Sequence, residues 1–319
     1  MDSWRDEVAP TYFDCKSRGL GDDDAAAYCR EKFPGLIGDF ALNSISRGMR
    51  KWRQDVTDCS GEGFRVPPPL ETGQPSPLIG LEVPYQDCHI WNDTHIPFHI
   101  PELMDLSLER ASASGVRCLV IGGDFMDMGW ASKYVSWGTQ GPTQTAEEFL
   151  VARGILREAL RVFDTIYIIP GNHDGTRFKY MSNGTLGFRQ LMDMVLGGEV
   201  KPDAGKRIVI GERRWMVLKD SPWGDWRITH PVSARSAPLS LAQVLAHKYR
   251  QNIITAHQHY LGVSFDRYGQ YVICDGGHMQ DESLTEYKLE VDSTHSSWAP
   301  GYVELIGGWP TLVPLPRGA

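Results

Sequence analysis

The chain has 319 residues, of which 41% are hydrophobic and 23% charged, and its formal net charge is −8. This balance is typical of a globular protein with one large domain, alone or with a small appendage. The negative charge argues against a broad basic surface for nucleic acid. It does not exclude nucleic-acid substrates, because bound divalent metals invert the charge of an acidic site.

The sequence shows no signs of export or of membrane insertion. No run of about 18 apolar residues occurs, so no transmembrane helix and no membrane partner are expected. The acidic first seven residues are unlike a secretory signal. Six cysteines are scattered without a CxxC pair. They are therefore expected to be free thiols in a reducing compartment, and the sequence predicts a cytoplasmic protein without a cysteine zinc site.

Residues 1–65 predict a small helical region. Asp22, Asp23 and Asp24 favour the start of one helix. A second helix is predicted from about residue 39 or 43 to residue 53, with Ile45 and Met49 on its apolar face. Because the second helix is basic, the pair is either a helix-turn-helix that enters a DNA groove or a helical hairpin with a solvated basic face.

A Pro-rich stretch, residues 66–77, predicts a linker between this region and residues 78–319. In the second part, strands and helices alternate, which indicates an α/β domain. The predicted strands cover 116–121, 165–169, 215–218, 226–229 and 252–255, followed by 260–265, 271–274 and 301–306 in a strand-rich C-terminal half. The predicted helices of this part cover residues 145–163 and 239–249.

Metal-binding residue types recur around the ends of these predicted strands. The groups are Asp87-x-His89, Gly123-Asp124-x-x-Asp127, Gly171-Asn172-His173-Asp174, His230 and His257-x-His259. Ligand sites of open α/β sheets form at the carboxyl ends of strands. In extended backbone, residues two apart point to the same side, so each x-spaced pair can reach one cavity. Aspartate and neutral imidazole suit Mn²⁺, Fe²⁺ or Zn²⁺.

This ordered set, which spans roughly residues 80–275, resembles the calcineurin-like metallophosphoesterase superfamily. The resemblance implies a four-layer α/β sandwich, with two β-sheets flanked by helices, for residues 78–319. It also implies two divalent metal ions, for which Mn is the first expectation and Fe or Zn the alternatives.

The resemblance further implies a role for each residue of the set. The metal ligands would be Asp87, His89 and His259 for the first ion, Asn172, His230 and His257 for the second, and Asp124 for both. A hydroxide that bridges the metals would attack phosphorus. His173 would contact the phosphate and help protonate the leaving group, and Asp127 would orient His173.

The sequence departs from the superfamily pattern at several positions. Ala256 replaces the usual Gly before the His-x-His pair, so its backbone need not have a positive φ. His278 is a rival to His230, although it fits the order of the motifs less well. Met128 and Gly175 stand where the protein phosphatases of the superfamily carry arginines that clamp phosphate.

The loss of these arginines argues against a protein phosphatase. Together with the basic helix around Arg47–Arg53 and the aromatic residues near the motifs, it predicts a phosphodiesterase or nuclease that acts on nucleotides or nucleic acid. The alternatives are a phosphomonoesterase of a small metabolite and a non-catalytic scaffold of the same fold.

Overall fold

A computed structural model of the chain describes residues 4–58, 80–131, 142–198, 200, 202, 204–284 and 298–315. The chain divides into two compact units between Pro75 and Ser76. The predicted linker, residues 66–77, lies outside the described residues, so its bounds remain a prediction. Within the described ranges, no helix is long and apolar enough to cross a membrane.

The first unit is helical. Its helices are α1 (Trp4–Ser17), α2 (Asp22–Lys32), α3 (Pro34–Ile37) and α4 (Leu42–Asp58). Apolar side chains of α1, α2 and α4, among them Tyr12, Cys29 and Met49, form its buried core. The predicted acidic start of α2 is confirmed, and its carboxylates suit the positive end of the helix dipole.

The short helix α3 separates α2 from α4. A helix-turn-helix joins its two helices by a turn of three or four residues, and α2 and α4 lack such a turn. Arg47 and Arg50 lie exposed on α4, as a solvated basic face requires. Whether this face binds nucleic acid remains a hypothesis.

The second unit is built from twelve strands and five helices of the described chain. The strands are β1 (Leu81–Pro84), β2 (Cys88–Trp91), β3 (Cys118–Ile121), β4 (Thr165–Ile168), β5 (Arg207–Ile210), β6 (Trp215–Lys219), β7 (Trp226–Thr229), β8 (Asn252–Thr255), β9 (Leu261–Phe265), β10 (Val272–Gly276), β11 (Gly301–Ile306) and β12 (Trp309–Pro314). The helices are α5 (Pro101–Ser114), α6 (Pro142–Val162), α7 (Phe178–Met181), α8 (Phe188–Leu196) and α9 (Ser240–Tyr249).

The strands form two six-stranded sheets. One sheet has the order β1-β6-β7-β8-β10-β9, and the other has the order β12-β11-β2-β3-β4-β5. Strands β2 to β5 run parallel to one another, and so do β7, β8 and β10. The carboxyl ends of parallel neighbours lie at one edge of a sheet, so the loops that follow them are close in space.

Four layers follow from the alternation of side chains along the strands. On β3, Cys118 and Val120 pack between the two sheets, and Leu119 and Ile121 pack against α5, α6 and α8. Helix α9 covers the outer face of the other sheet through Ala242 and other residues. The predicted four-layer α/β sandwich is therefore confirmed for the second unit.

Candidate metal centre

The loop after β3 brings Asp124 into the middle of a buried polar cluster. Gly123 has a φ of 101°, and a Cβ there would lie 2.5 Å from His230 Nδ1. A Cβ on Gly171 would collide with the Asp124 carboxylate. Both positions therefore require glycine, which lets the backbone approach these side chains closely.

Asp124 faces three imidazoles. Its Oδ2 atom lies 3.3 Å from His230 Nε2, 3.8 Å from His95 Nε2 and 3.9 Å from His173 Nε2. Its Oδ1 atom accepts a hydrogen bond of 2.7 Å from the backbone N–H of His173. Burial raises the pKa of Asp124, but the neighbouring His230 and His173 outweigh burial, and the pKa lies well below its usual range. The carboxylate is thus ionised at the centre of the cluster.

Asp93, His95 and His259 form a first group of possible metal ligands beside Asp124. Their possible ligand atoms are all within 4.8 Å of one another, and Asp93 Oδ1 is 3.3 Å from His259 Nε2. Asp93 Oδ1 and His95 Nε2 are buried without a hydrogen-bond partner. Since an unpaired buried polar atom destabilises a protein, these two atoms fit a bound cation.

In a second group, Asp124 itself lies with His230 and His257 in the same way. Asn172 Oδ1 lies 2.9 Å from His230 Nε2, and His230 Nδ1 lies 3.2 Å from the Gly122 carbonyl. A proton on Nδ1 that is donated to this carbonyl leaves Nε2 free to bind a metal, as is usual for metal-binding histidines. Burial lowers the pKa of His230, but Asp124 outweighs it and raises the pKa to about 9.

A third group links Asp127 to two histidines. Asp127 Oδ1 lies 3.0 Å from His95 Nδ1 and 3.1 Å from His173 Nδ1. Although burial raises the pKa of Asp127, its hydrogen bonds to both rings hold the pKa well below the usual range. The ionised carboxylate therefore fixes the orientation of both rings, and both face Asp124 through Nε2.

The structure does not bring Asp87 and His89 to this cluster, which corrects their expected place. Asp87 precedes β2, at the amino end of the strand, where its Oδ1 accepts hydrogen bonds from the Tyr85 hydroxyl at 2.5 Å and the Gly307 N–H at 2.8 Å. His89 lies within β2 and points away from the other sheet, with Nδ1 2.8 Å from Ser107 Oγ. Neither residue lies at the carboxyl end of β2, where the site forms.

Asp93 and His95, which the sequence analysis missed, take the place of that pair. Asp93-Thr94-His95 has the same spacing as Asp87-Cys88-His89, and it follows β2 directly after Asn92. The signal was present in the apolar pair Ile90-Trp91 that ends the strand. His89 interrupts this apolar run, so the sequence alone does not show that the strand ends at Trp91.

Five residues of the cluster adopt the left-handed backbone conformation, which is uncommon for residues other than glycine. They are Asp93 (φ 49°), His95 (47°), Asp124 (50°), His257 (74°) and His259 (62°). Each such residue costs about 1–3 kcal/mol, and such strain concentrates at functional sites. Ala256 is not among the residues with positive φ, which agrees with the expectation from its replacement of glycine.

His278 contacts the cluster through the ring of His259. Its ring stacks on that of His259, with centroids 4.9 Å apart and an interplanar angle of 23°. Its Nε2 atom lies 3.2 Å from Glu282 Oε1, and it belongs to none of the three groups of possible ligands. The structure therefore places His230, and not its rival His278, beside Asp124.

The buried position of His89 predicts a pH dependence of stability. Burial lowers its pKa to about 4 from the ordinary value of 6.5, so the unfolded chain binds the proton more tightly. The stability contributed by neutral His89 is present above about pH 6.5 and is lost as the pH falls toward 4.

We therefore expect the free energy of unfolding of His89→Gln to fall less steeply than that of the wild type between pH 6.5 and 4, with a difference of about 3 kcal/mol across this range. Urea denaturation at a series of pH values measures both slopes. Parallel slopes would show that His89 is not buried as a neutral ring.

No protein-family model matches the chain, and no curated protein matches it. A solved structure that matches is that of a single mutant of Vps29 from Entamoeba histolytica. The two chains are 11% identical, and the match covers 72% of this chain and 100% of that chain with a TM-score of 0.35.

Proposed function

We propose that the chain is a dinuclear metal-dependent phosphoesterase that hydrolyses phosphodiester bonds of nucleotides or nucleic acid. The observation that carries the proposal is the central carboxylate of Asp124, whose Oδ2 atom lies 3.3 Å from His230 of one group of possible metal ligands and 3.8 Å from His95 of another. Loops that follow five different strands supply these groups, which is the arrangement that a site at the carboxyl edge of two sheets requires.

The donor set fits two divalent cations. Asp93, His95 and His259 would hold the first ion, Asn172, His230 and His257 the second, and Asp124 both. When bound, the two ions neutralise charge on the phosphoryl group and activate water for attack on phosphorus. Carboxylate, amide and imidazole ligands are compatible with Mn²⁺, Fe²⁺ or Zn²⁺, and we propose Mn²⁺ for the first tests.

Two residues of the chain, His173 and Asp127, would supply the proton that the leaving group needs. His173 lies beside Asp124, and Asp127 holds its Nδ1 atom, so Nε2 is the atom that can face a leaving oxygen. A protonated His173 would donate from Nε2 to that oxygen, and the Asp127 carboxylate would stabilise the imidazolium. Asp127 contacts His95 in the same way and would couple the proton donor to the first metal position.

The preference for diesters rests on charge. The Met128 side chain is fully buried, and residue 175 is glycine, so neither position offers a guanidinium to the dianion of a phosphomonoester. The monoanion of a diester needs fewer cationic partners. The absence of arginine at both positions therefore favours a diesterase over a phosphomonoesterase, which remains the alternative.

The test is hydrolysis by metal-stripped protein resupplied with Mn²⁺. We expect cleavage of bis-p-nitrophenyl phosphate and of DNA to exceed that of p-nitrophenyl phosphate, and to disappear in Asp124→Asn. Activity on the monoester alone would identify a phosphomonoesterase. No activity on any of these substrates, with no metal bound, would refute the proposed function and leave a non-catalytic protein of this fold.

A further inference from the structure

Arg177 lies at the edge of the candidate metal centre. It ends the helical turn Asn172–Arg177, and its side chain is 22% exposed. Its Nη1 atom donates a hydrogen bond of 2.8 Å to the Asp127 carbonyl, and its Nη2 atom lies 3.0 Å from His173 Nε2. A guanidinium therefore sits at the nitrogen through which His173 would act.

The hydrogen bonds fix the tautomer of His173. Its Nδ1 atom faces two acceptors, the carbonyl and a carboxylate oxygen of Asp127, at 2.9 and 3.1 Å, so Nδ1 carries the proton. Arg177 has only donors to offer. Hence Nε2 accepts the hydrogen bond from Arg177, and it cannot serve a phosphoryl oxygen while this bond exists.

We infer that Arg177 binds a non-bridging oxygen of the substrate's phosphoryl group, and that its Nη2 atom leaves His173 Nε2 in doing so. This inference rests on the proposed function and deepens it. A phosphoryl oxygen is a stronger acceptor for a guanidinium than a neutral imidazole, because its charge strengthens the hydrogen bond. Nη1 can keep its hydrogen bond to the Asp127 carbonyl while Nη2 exchanges His173 for the phosphoryl oxygen.

Arg177 supplies one guanidinium at this edge, and the side chain of Arg214 is directed at Thr176 instead. A single guanidinium can bind one non-bridging oxygen, and phosphodiesters and phosphomonoesters both carry such an oxygen. Arg177 would therefore serve either class of ester.

A purely structural role makes a different prediction. If Arg177 only ties the Asn172–Arg177 turn to Asp127, its loss would lower stability and change the affinity for phosphate little. If it binds the phosphoryl group, its loss weakens the binding of inorganic phosphate as well as turnover. Phosphate affinity therefore separates the two roles.

The experiment compares Arg177→Met and Arg177→Lys with the matched control Arg117→Met. Arg117 donates to the Val162 carbonyl and precedes β3, at the end of the sheet away from the site. Orthophosphate binding to the Mn²⁺-loaded proteins is measured by calorimetry, and hydrolysis of bis-p-nitrophenyl phosphate is measured in parallel. Circular dichroism establishes that each variant is folded, and Arg177→Lys replaces Arg177→Met if the latter is not.

We expect Arg177→Met to weaken orthophosphate binding and to lower kcat/KM by about 10- to 100-fold, the size of one charge-assisted hydrogen bond. Arg177→Lys should recover part of the loss, and Arg117→Met should match the wild type. Equal orthophosphate affinity in wild type and Arg177→Met would overturn the inference whether or not the protein is active. If the wild type itself shows no Mn²⁺-dependent hydrolysis, the proposed function is overturned instead.

Discussion

Asp93→Asn is expected to lower Mn²⁺-dependent hydrolysis by at least about 100-fold, since even changes behind the metal ligands cost about 10- to 100-fold. The two oxygens of the Asp93 carboxylate have different surroundings. Its Oδ1 atom is buried without a hydrogen-bond partner and faces His259, and its Oδ2 atom accepts a bond of 2.8 Å from the His257 N–H. The amide would remove the negative charge that the first metal requires.

The matched control is Asp87→Asn, which makes the same chemical change in the sister Asp-x-His pair. Asp87 binds Tyr85 and Gly307 at the amino end of β2, so activity and metal content should stay within about twofold of the wild type. Metal content by elemental analysis and turnover of bis-p-nitrophenyl phosphate measure both variants. The opposite pattern, with Asp87→Asn inactive and Asp93→Asn active, would restore the pair expected from the sequence.

His173→Ala is expected to lower kcat by about 100- to 10,000-fold, the range of general acid catalysis, while two metals remain bound. The reason is that His173 Nε2 lies 3.9 Å from Asp124 Oδ2 and its Nδ1 is held by Asp127, so the ring is not needed to hold an ion. The backbone N–H of residue 173, which donates to Asp124 Oδ1, is kept in the variant. Elemental analysis and steady-state kinetics on the same preparation measure the two effects separately.

A substrate with a better leaving group gives the control for this prediction. The loss in His173→Ala should shrink as the leaving group becomes more acidic, because a good leaving group needs no proton. If the variant instead loses metal in proportion to its activity, His173 acts on the metal centre and not as a proton donor.

Much of the fold could be predicted from the sequence, because buried strands leave short apolar runs. Strands β3, β4, β7 and β8 read as such runs, and their side chains are buried on both faces. Strand β2 could not be read in this way, since His89 sits in its interior. The burial of His89 depends on Ser107 of α5 and Phe163, which lie far away in the sequence.

The candidate site could be predicted as a set of motifs, although not in its full geometry. Motif spacing predicted that Asp124, Asn172, His230 and the His257-x-His259 pair lie together, and the structure brings them together. The sequence contains two Asp-x-His pairs six residues apart. Only the position at which β2 ends shows which of the two pairs reaches the site. The position of Arg177 over His173 depends on the helical turn at Asn172–Arg177, which local spacing did not reveal.

The most direct test of the dinuclear centre is an anomalous difference map from crystals of the protein grown with Mn²⁺. We predict two peaks, one among Asp93, His95 and His259 and one among Asn172, His230 and His257, with Asp124 between them. No peak in this cluster, or a single peak beside Asp87 and His89, would contradict the proposed metal centre.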